Sequence, residues 1–169
     1  MTRIATIKPV GLALALLVTV SVAVALTPSA RSASRPQLTD VKGIEIVARH
    51  TQGTFVGYST GSLPGEWTAV VEHTPLAPNA TITGGTLHLV TGRGGASRAL
   101  TARFTGGTIT NTNPGAGCTN QTFRVVGKLT PFGGYRSGTF SVTLTHYRHA
   151  FLGSCVSYFA TTTGTLATS

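Results

Sequence analysis

The stretch Gly138–Leu166, which reads GTFSVTLTHYRHAFLGSCVSYFATTTGTL, carries the clearest structural pattern in the chain. In its first half, Phe140, Val142 and Leu144 share one phase, and serine and threonine residues fill the other. Such alternation with a period of two predicts a half-buried β-strand. A turn at residues 152–154 and a second segment rich in β-branched and aromatic residues follow. The stretch therefore predicts two antiparallel strands.

The same kind of pattern continues upstream, from Val41 onward. Turns rich in glycine and proline separate the segments, and no segment has helical periodicity and length. In the first of them, Val41, Ile44 and Ile46 mix the two phases, which a β-bulge would explain. The further strands are predicted at 41–49, 54–60, 66–73, 81–91, 99–110 and 122–129. We therefore expect an all-β fold of about eight antiparallel strands in an up-and-down meander, as a small barrel or, as second choice, a sandwich.

The N-terminal segment indicates export. Arg3 and Lys8 precede the uncharged, almost wholly apolar run Val10–Leu26, and small residues follow it. We interpret residues 1–33 as a signal peptide, with an uncleaved membrane anchor as the alternative. Residues 34–40 are then a short linker, and residues 41–167 form a single barrel domain. The protein is expected to be secreted or extracytoplasmic.

The composition is strongly basic, with 13 Lys and Arg against 4 Asp and Glu and a formal net charge of +9. A basic balance can serve nucleic acid, anionic lipid or cell-wall polymer. Here the basic residues are spread singly, and no basic run is interleaved with aromatic residues. We therefore expect a solvated surface and no nucleic-acid partner. Contact with a membrane is expected only through the N-terminal segment, if that segment stays attached.

The two cysteines, Cys118 and Cys155, predict one disulfide in an exported chain. Each precedes a predicted strand, and in a meander those two strands start at the same end of the sheet. Closing the intervening loop stabilises the fold by about 3–4 kcal/mol in the chain-entropy model. The spacing lacks a CxxC motif and a second ligand cluster, so no metal site is predicted. No cofactor-binding motif occurs either.

The tetrapeptide TGGT occurs twice, at residues 83–86 and 105–108. Glycine inside a strand often marks a bulge or a tight bend at a barrel corner. With its leader and its eight-strand meander, the chain resembles the allene oxide cyclase–dirigent barrel group. That resemblance covers most of residues 41–166 and implies a barrel around an apolar cavity. Leu87 and Ile109 stand where the group repeats glycine, and none of its catalytic residues has a matching position here.

The candidate ligand-binding residues are polar or aromatic side chains in inward phases or near strand ends. His146 and Arg148 continue the phase of Phe140 by period two. An inward cation at this position would help to fix an anionic or carbonyl ligand. A strand that leaves the core at this point would instead carry both side chains into solvent. The aromatic candidates have core packing as their alternative role. The candidates are Trp67, His73, His146, Arg148 and Tyr158.

The sequence shows no complete catalytic constellation. Glu72 lies on the phase opposite to His73, and no carboxylate is expected to orient His73 or His146. The function we expect is a secreted barrel that binds a small apolar or amphipathic ligand. One alternative is a cavity isomerase or cyclase that uses His146 or Tyr158. Another is a structural cell-surface protein whose barrel is filled by side chains.

Overall fold

The structure, a computed structural model, describes residues 36–92, 96–114 and 116–169, and the predicted leader lies outside them. Consecutive strands pair in antiparallel fashion, and β8 closes the ring by pairing with β1. The predicted eight-stranded barrel is confirmed, and the sandwich alternative is wrong. Within these ranges no helix is long and apolar enough to cross a membrane. The strands are β1 (Gln37–Arg49), β2 (Gln52–Gly61), β3 (Gly65–His73), β4 (Ala80–Thr91), β5 (Arg98–Asn113), β6 (Gln121–Leu129), β7 (Gly138–Phe151) and β8 (Ser154–Thr168).

Strand β1 begins earlier than the sequence predicted. It starts at Gln37, which pairs with Thr168, so residues 37–40 of the predicted linker belong to the barrel. The inward position there is held by Thr39, whose exposure is 0%. A polar residue in this core position interrupts the apolar alternation, so the pattern of the sequence does not indicate a strand at residues 37–40.

The predicted core is confirmed. Phe140, Val142 and Leu144, which the alternation in β7 placed on one face, are all buried. Phe104 of β5 and Phe123 and Val125 of β6 are buried beside them. The ring of Phe140 packs edge-on against Trp67 at 5.6 Å and against Phe104 at 6.0 Å between centroids. The indole Nε1–H of Trp67 donates a hydrogen bond to the carbonyl of Tyr58 at 3.0 Å. These aromatic rings fill the space between β3, β5 and β7.

The ladder between β4 and β5 is interrupted between the residue pairs Thr81↔Thr108 and Thr86↔Arg103. The two TGGT elements lie at this interruption, one on each strand. A Cβ on Gly85 or Gly107 would stand about 2 Å from a carbonyl oxygen of the next strand. Both glycines also have positive φ angles, +115° and +145°. Only glycine fits such a close approach in this backbone conformation.

The predicted disulfide is confirmed. Cys118 lies in the loop after β5, and Cys155 lies at the start of β8. Their Cα atoms are 5.5 Å apart, inside the limit of about 7 Å for a bridge. Both cysteines lie at the end of the barrel where β1 finishes and β8 begins, which we call the upper end.

At the upper end, β7 and β8 continue past their neighbours. The ladder of β8 with β1 ends at Thr161↔Ile44, and that of β7 with β6 ends at His146↔Gln121. Beyond these points the two strands pair only with each other, as far as Phe151↔Ser154. We call residues 147–159 the hairpin extension.

The packing of Phe140 gives a stability prediction. Its exposure is 1% and it touches two other aromatic rings, so Phe140→Ala should lower the free energy of unfolding by about 3–5 kcal/mol. Val90→Ala, at a half-exposed outer position of β4, is the control and should change it by less than about 0.5 kcal/mol. Urea denaturation of both variants measures the difference. A loss below about 1 kcal/mol for Phe140→Ala would contradict this account of the core.

Candidate functional site

A small cavity opens at the upper end of the barrel, above the aromatic core. Its volume is about 60 Å³. Four of its lining residues are polar or charged: Glu45, Arg49, His73 and His146. Gly53 and eight apolar residues complete the wall: Ala48, Phe55, Val71, Leu76, Ile109, Phe123, Val125 and Leu144. The strands thus converge on an apolar chamber with a few polar groups, the usual composition of a small-molecule site.

The central polar feature is a hydrogen bond between His146 Nε2 and Glu45 Oε2, 2.7 Å long. The side-chain exposures are 18% for His146 and 7% for Glu45. The expectation that no carboxylate orients His146 is therefore wrong. His146 also packs edge-on against Phe123 at 5.4 Å, which fixes the plane of its ring from a second side.

The sequence pattern does not predict that Glu45 points inward, because the apolar residues on either side of it suggest that they occupy the inward phase themselves. Ile44 and Ile46 are 36% and 52% exposed, whereas Glu45 points inward with the phase of Val41. A register shift between Glu45 and Val47 in the pairing with β2 confirms the suspected bulge. The one signal in the sequence was that mixture of phases, since a bulge re-aims side chains near functional sites.

Gly53 provides the space that the Glu45 carboxyl occupies. A Cβ at Gly53 would stand 2.8 Å from Glu45 Oε1 and 2.8 Å from the ring of Phe55. Both distances are too short for atoms that do not bond. The φ angle of Gly53 is not in the left-handed region, so the reason for glycine here is room for the carboxyl.

The second histidine, His73, has a defined tautomer. Its Nδ1 lies 2.7 Å from the carbonyl oxygen of Thr74, and a carbonyl can only accept, so Nδ1 carries the proton. In that tautomer Nε2 is the acceptor, and His73 is one of the residues that line the cavity. Three polar atoms of the cavity-lining residues have no hydrogen-bond partner among the described residues: His73 Nε2, His146 Nδ1 and Glu45 Oε1. The cavity therefore offers several polar atoms that a ligand could satisfy.

The structure brings His73 and His146 to one cavity, but it does not place the other three candidates there. Trp67 is 2% exposed and belongs to the aromatic core. Arg148 follows His146 in phase, yet it lies on the hairpin extension, where the barrel wall has ended. Its backbone N–H donates to Asn120 Oδ1 at 3.3 Å, and its side chain is not among the cavity-lining residues. Tyr158 is 68% exposed.

A lateral notch separates β1 from β8 above the last pair of their ladder, Ile44↔Thr161. It has a volume of about 160 Å³. Its walls are Glu45, Ile46, Ala48, His146, Ser157, Tyr158, Phe159 and Ala160. The notch and the cavity share Glu45, Ala48 and His146, so the hydrogen-bonded pair stands between the chamber and the outside.

No family model, curated protein or solved structure matches the chain. Within residues 36–92, 96–114 and 116–169, no group of three or more His, Cys, Asp or Glu side chains is placed to hold a metal ion.

The space beside Glu45 gives a prediction with a matched control. Gly53→Ala should push the carboxyl away from His146 and lower the free energy of unfolding by about 1–3 kcal/mol, because the site is closely packed. Gly84→Ala also crowds a carboxyl, that of Glu72, at 2.6 Å, but Glu72 is exposed and can turn away. That control should cost less than about 0.5 kcal/mol.

Urea denaturation and the ¹⁵N chemical shifts of the histidine rings measure the two effects. The shifts of His146 should change in Gly53→Ala and stay constant in Gly84→Ala. Unchanged His146 shifts in Gly53→Ala would show that Gly53 does not hold the pair in place.

Proposed function

We propose that the protein is an exported barrel that binds a small amphipathic ligand at its upper end. The apolar end of the ligand enters the cavity, and a neutral hydroxyl group meets His146 and Glu45. The observation that carries this proposal is a hydrogen-bonded His–Glu pair, largely removed from solvent, in an otherwise apolar chamber. Burying a carboxyl is expensive unless polar partners compensate, and such groups concentrate at functional sites.

The volumes limit the size of the ligand. A cavity of about 60 Å³ has room for on the order of four to six water molecules, whereas sites for drug-sized ligands are roughly 300–1,000 Å³. The cavity can therefore take only a short apolar group. The rest of the ligand would lie past the His146–Glu45 pair in the notch, which adds about 160 Å³.

The charges favour a neutral polar group over an anion. Arg148, the cation expected to attract an anionic ligand, is not in the cavity wall, and Arg49 lies exposed at its rim. The Glu45 side chain is only 7% exposed, whereas Arg49 is exposed to solvent. Water therefore screens the charge of Glu45 less, and this charge interacts more strongly with a bound group. A hydroxyl can donate to Glu45 Oε1 or to His73 Nε2, and an anion can do neither.

Two further points support an exported binding protein. A disulfide is compatible with a compartment outside the cytoplasm, where such bonds persist. The resemblance to the allene oxide cyclase–dirigent group also implies an apolar cavity within the barrel, and the cavity found here lies at one end of it.

A second candidate function is acid–base catalysis on the same ligand. Its basis is the orientation of His146, since a histidine held by a carboxyl through one nitrogen presents the other to a substrate. Nδ1 would remove a proton from carbon next to a carbonyl and return it elsewhere on the same molecule, which is an isomerisation. Tyr158 lines the notch but is 68% exposed, and the carboxyl of Glu45 orients His146, so this candidate rests on His146.

Native mass spectrometry of the protein purified from its own host tests the binding proposal. The wild type should retain a small molecule, and Glu45→Gln and His146→Phe should each reduce its occupancy at least tenfold. Glu66→Gln, an exposed carboxyl outside both the cavity and the notch, is the control and should retain it. A wild type without bound ligand, or equal occupancy in all variants, would contradict the proposal.

The retained molecule then separates the two candidate functions. Incubated in D₂O, it should gain deuterium at carbon in the presence of the wild type if His146 is a base, and not in the presence of His146→Gln. A binding protein without catalysis should give no deuterium uptake with either.

A further inference from the structure

The outer face of the hairpin extension is covered with exposed apolar and aromatic side chains. His146 lines the cavity, so its neighbour Tyr147 and the paired Phe159 lie on the opposite, outer face, where their rings are 6.0 Å apart. Phe151 and the turn residue Leu152 continue this face to the tip, with exposures of 58% and 89%. Val156 and Tyr158 add exposures of 43% and 68%.

The tip carries a residue that the turn itself does not favour. Leu152 has a φ of +47°, a conformation that asparagine and glycine adopt more readily than leucine. The chain thus places a large apolar side chain in a strained backbone position and exposes it almost completely. Strain of this kind is retained at functional sites more than elsewhere.

The hairpin extension is also braced from its inner side. Cys155 is disulfide-bonded to Cys118, and the backbone N–H of Arg148 donates to Asn120 Oδ1 in the same loop. Both braces connect the hairpin to the loop between β5 and β6. An exposed apolar surface is therefore held in one arrangement before any partner arrives, which lowers the entropy lost on docking.

The one formal charge on the hairpin extension is positive. Residues 147–159 include Arg148 and contain no Asp or Glu. Two of the chain's four acidic residues, Asp40 and Glu66, pair towards the other end of the barrel, and Glu45 is bonded to His146. Glu72 is on β3, four strands from β7 in either direction around the ring. This end of the wall therefore favours an anionic partner.

We propose that the hairpin extension docks the protein on an anionic lipid membrane. Phe151 and Leu152 enter the boundary between head groups and acyl chains, and the tyrosines lie at head-group level. Arg148, on the inner face of the same hairpin, reaches the lipid phosphates at the depth of the tyrosines. Apolar residues at a convex tip, with tyrosine and basic residues behind them, match the layers of a bilayer surface. A second copy of this chain is a less favourable partner than an anionic membrane, because both copies are basic and would repel each other. Neither Phe151 nor Leu152 lines the cavity or the notch, so the two residues that enter the membrane are separate from the proposed ligand site.

Vesicle co-sedimentation of the exported protein tests the proposal, with the same N-terminus in every variant. The wild type should bind phosphatidylglycerol-containing vesicles at least tenfold better than pure phosphatidylcholine. Phe151→Ser combined with Leu152→Ser should lose at least tenfold on the anionic vesicles, and Arg148→Gln severalfold. Leu38→Ser removes an equally exposed apolar side chain at the other end of the barrel (57% against 58% for Phe151) and should bind like the wild type.

A fluorescence experiment locates the contact. The chain has one tryptophan, the buried Trp67, so Phe151→Trp adds a reporter at the tip. Brominated lipids should quench the added indole and leave the emission of the parent chain unchanged. Absence of vesicle binding, equal loss in Leu38→Ser, or no quenching in Phe151→Trp would overturn the proposal. Dimers in sedimentation velocity that the double variant dissociates, without vesicle binding, would assign the face to a second copy instead.

Discussion

The pairing of β1 with β8 is the constraint on which the rest of the structure depends. It closes the barrel from Gln37↔Thr168 to Ile44↔Thr161 and thereby sets which face of β1 is inside. Because side chains alternate along a strand, the same register puts Thr39, Val41 and Glu45 inward and leaves Ile44 outside. The point where this ladder stops also decides where the wall opens and where the hairpin extension begins.

The interior is thereby divided into a filled part and an open part. Trp67, Phe104 and Phe140 occupy the space between their strands, so most of the barrel is a packed core rather than a container. Above them the inward positions pass to His73, His146 and Glu45, and the packing leaves the small cavity. The hydrogen bond between His146 and Glu45 offsets part of the cost of burying the two side chains, and Gly53 leaves room for the carboxyl.

The two proposed activities occupy neighbouring regions of the upper end. The notch beside Tyr158 and Phe159 leads to the His146–Glu45 pair, and the same two residues belong to the outer face of the hairpin extension. A barrel docked by this hairpin would hold its notch close to the lipid surface, where amphipathic molecules are concentrated. The disulfide supports this arrangement by holding the hairpin against the loop between β5 and β6.

Local pattern in the sequence determined the fold class, the strand order, the core of β5 to β7 and the disulfide, because period-two alternation and turn residues are properties of short segments. It also placed His73 and His146 on inward phases. Only the tertiary structure decided that Arg148 lies beyond the wall and that Glu45 meets His146. Residues 45 and 146 are 101 positions apart, and the apolar residues beside Glu45 suggest the wrong phase for it. Closure of the ring, which no short segment encodes, overrides that local preference.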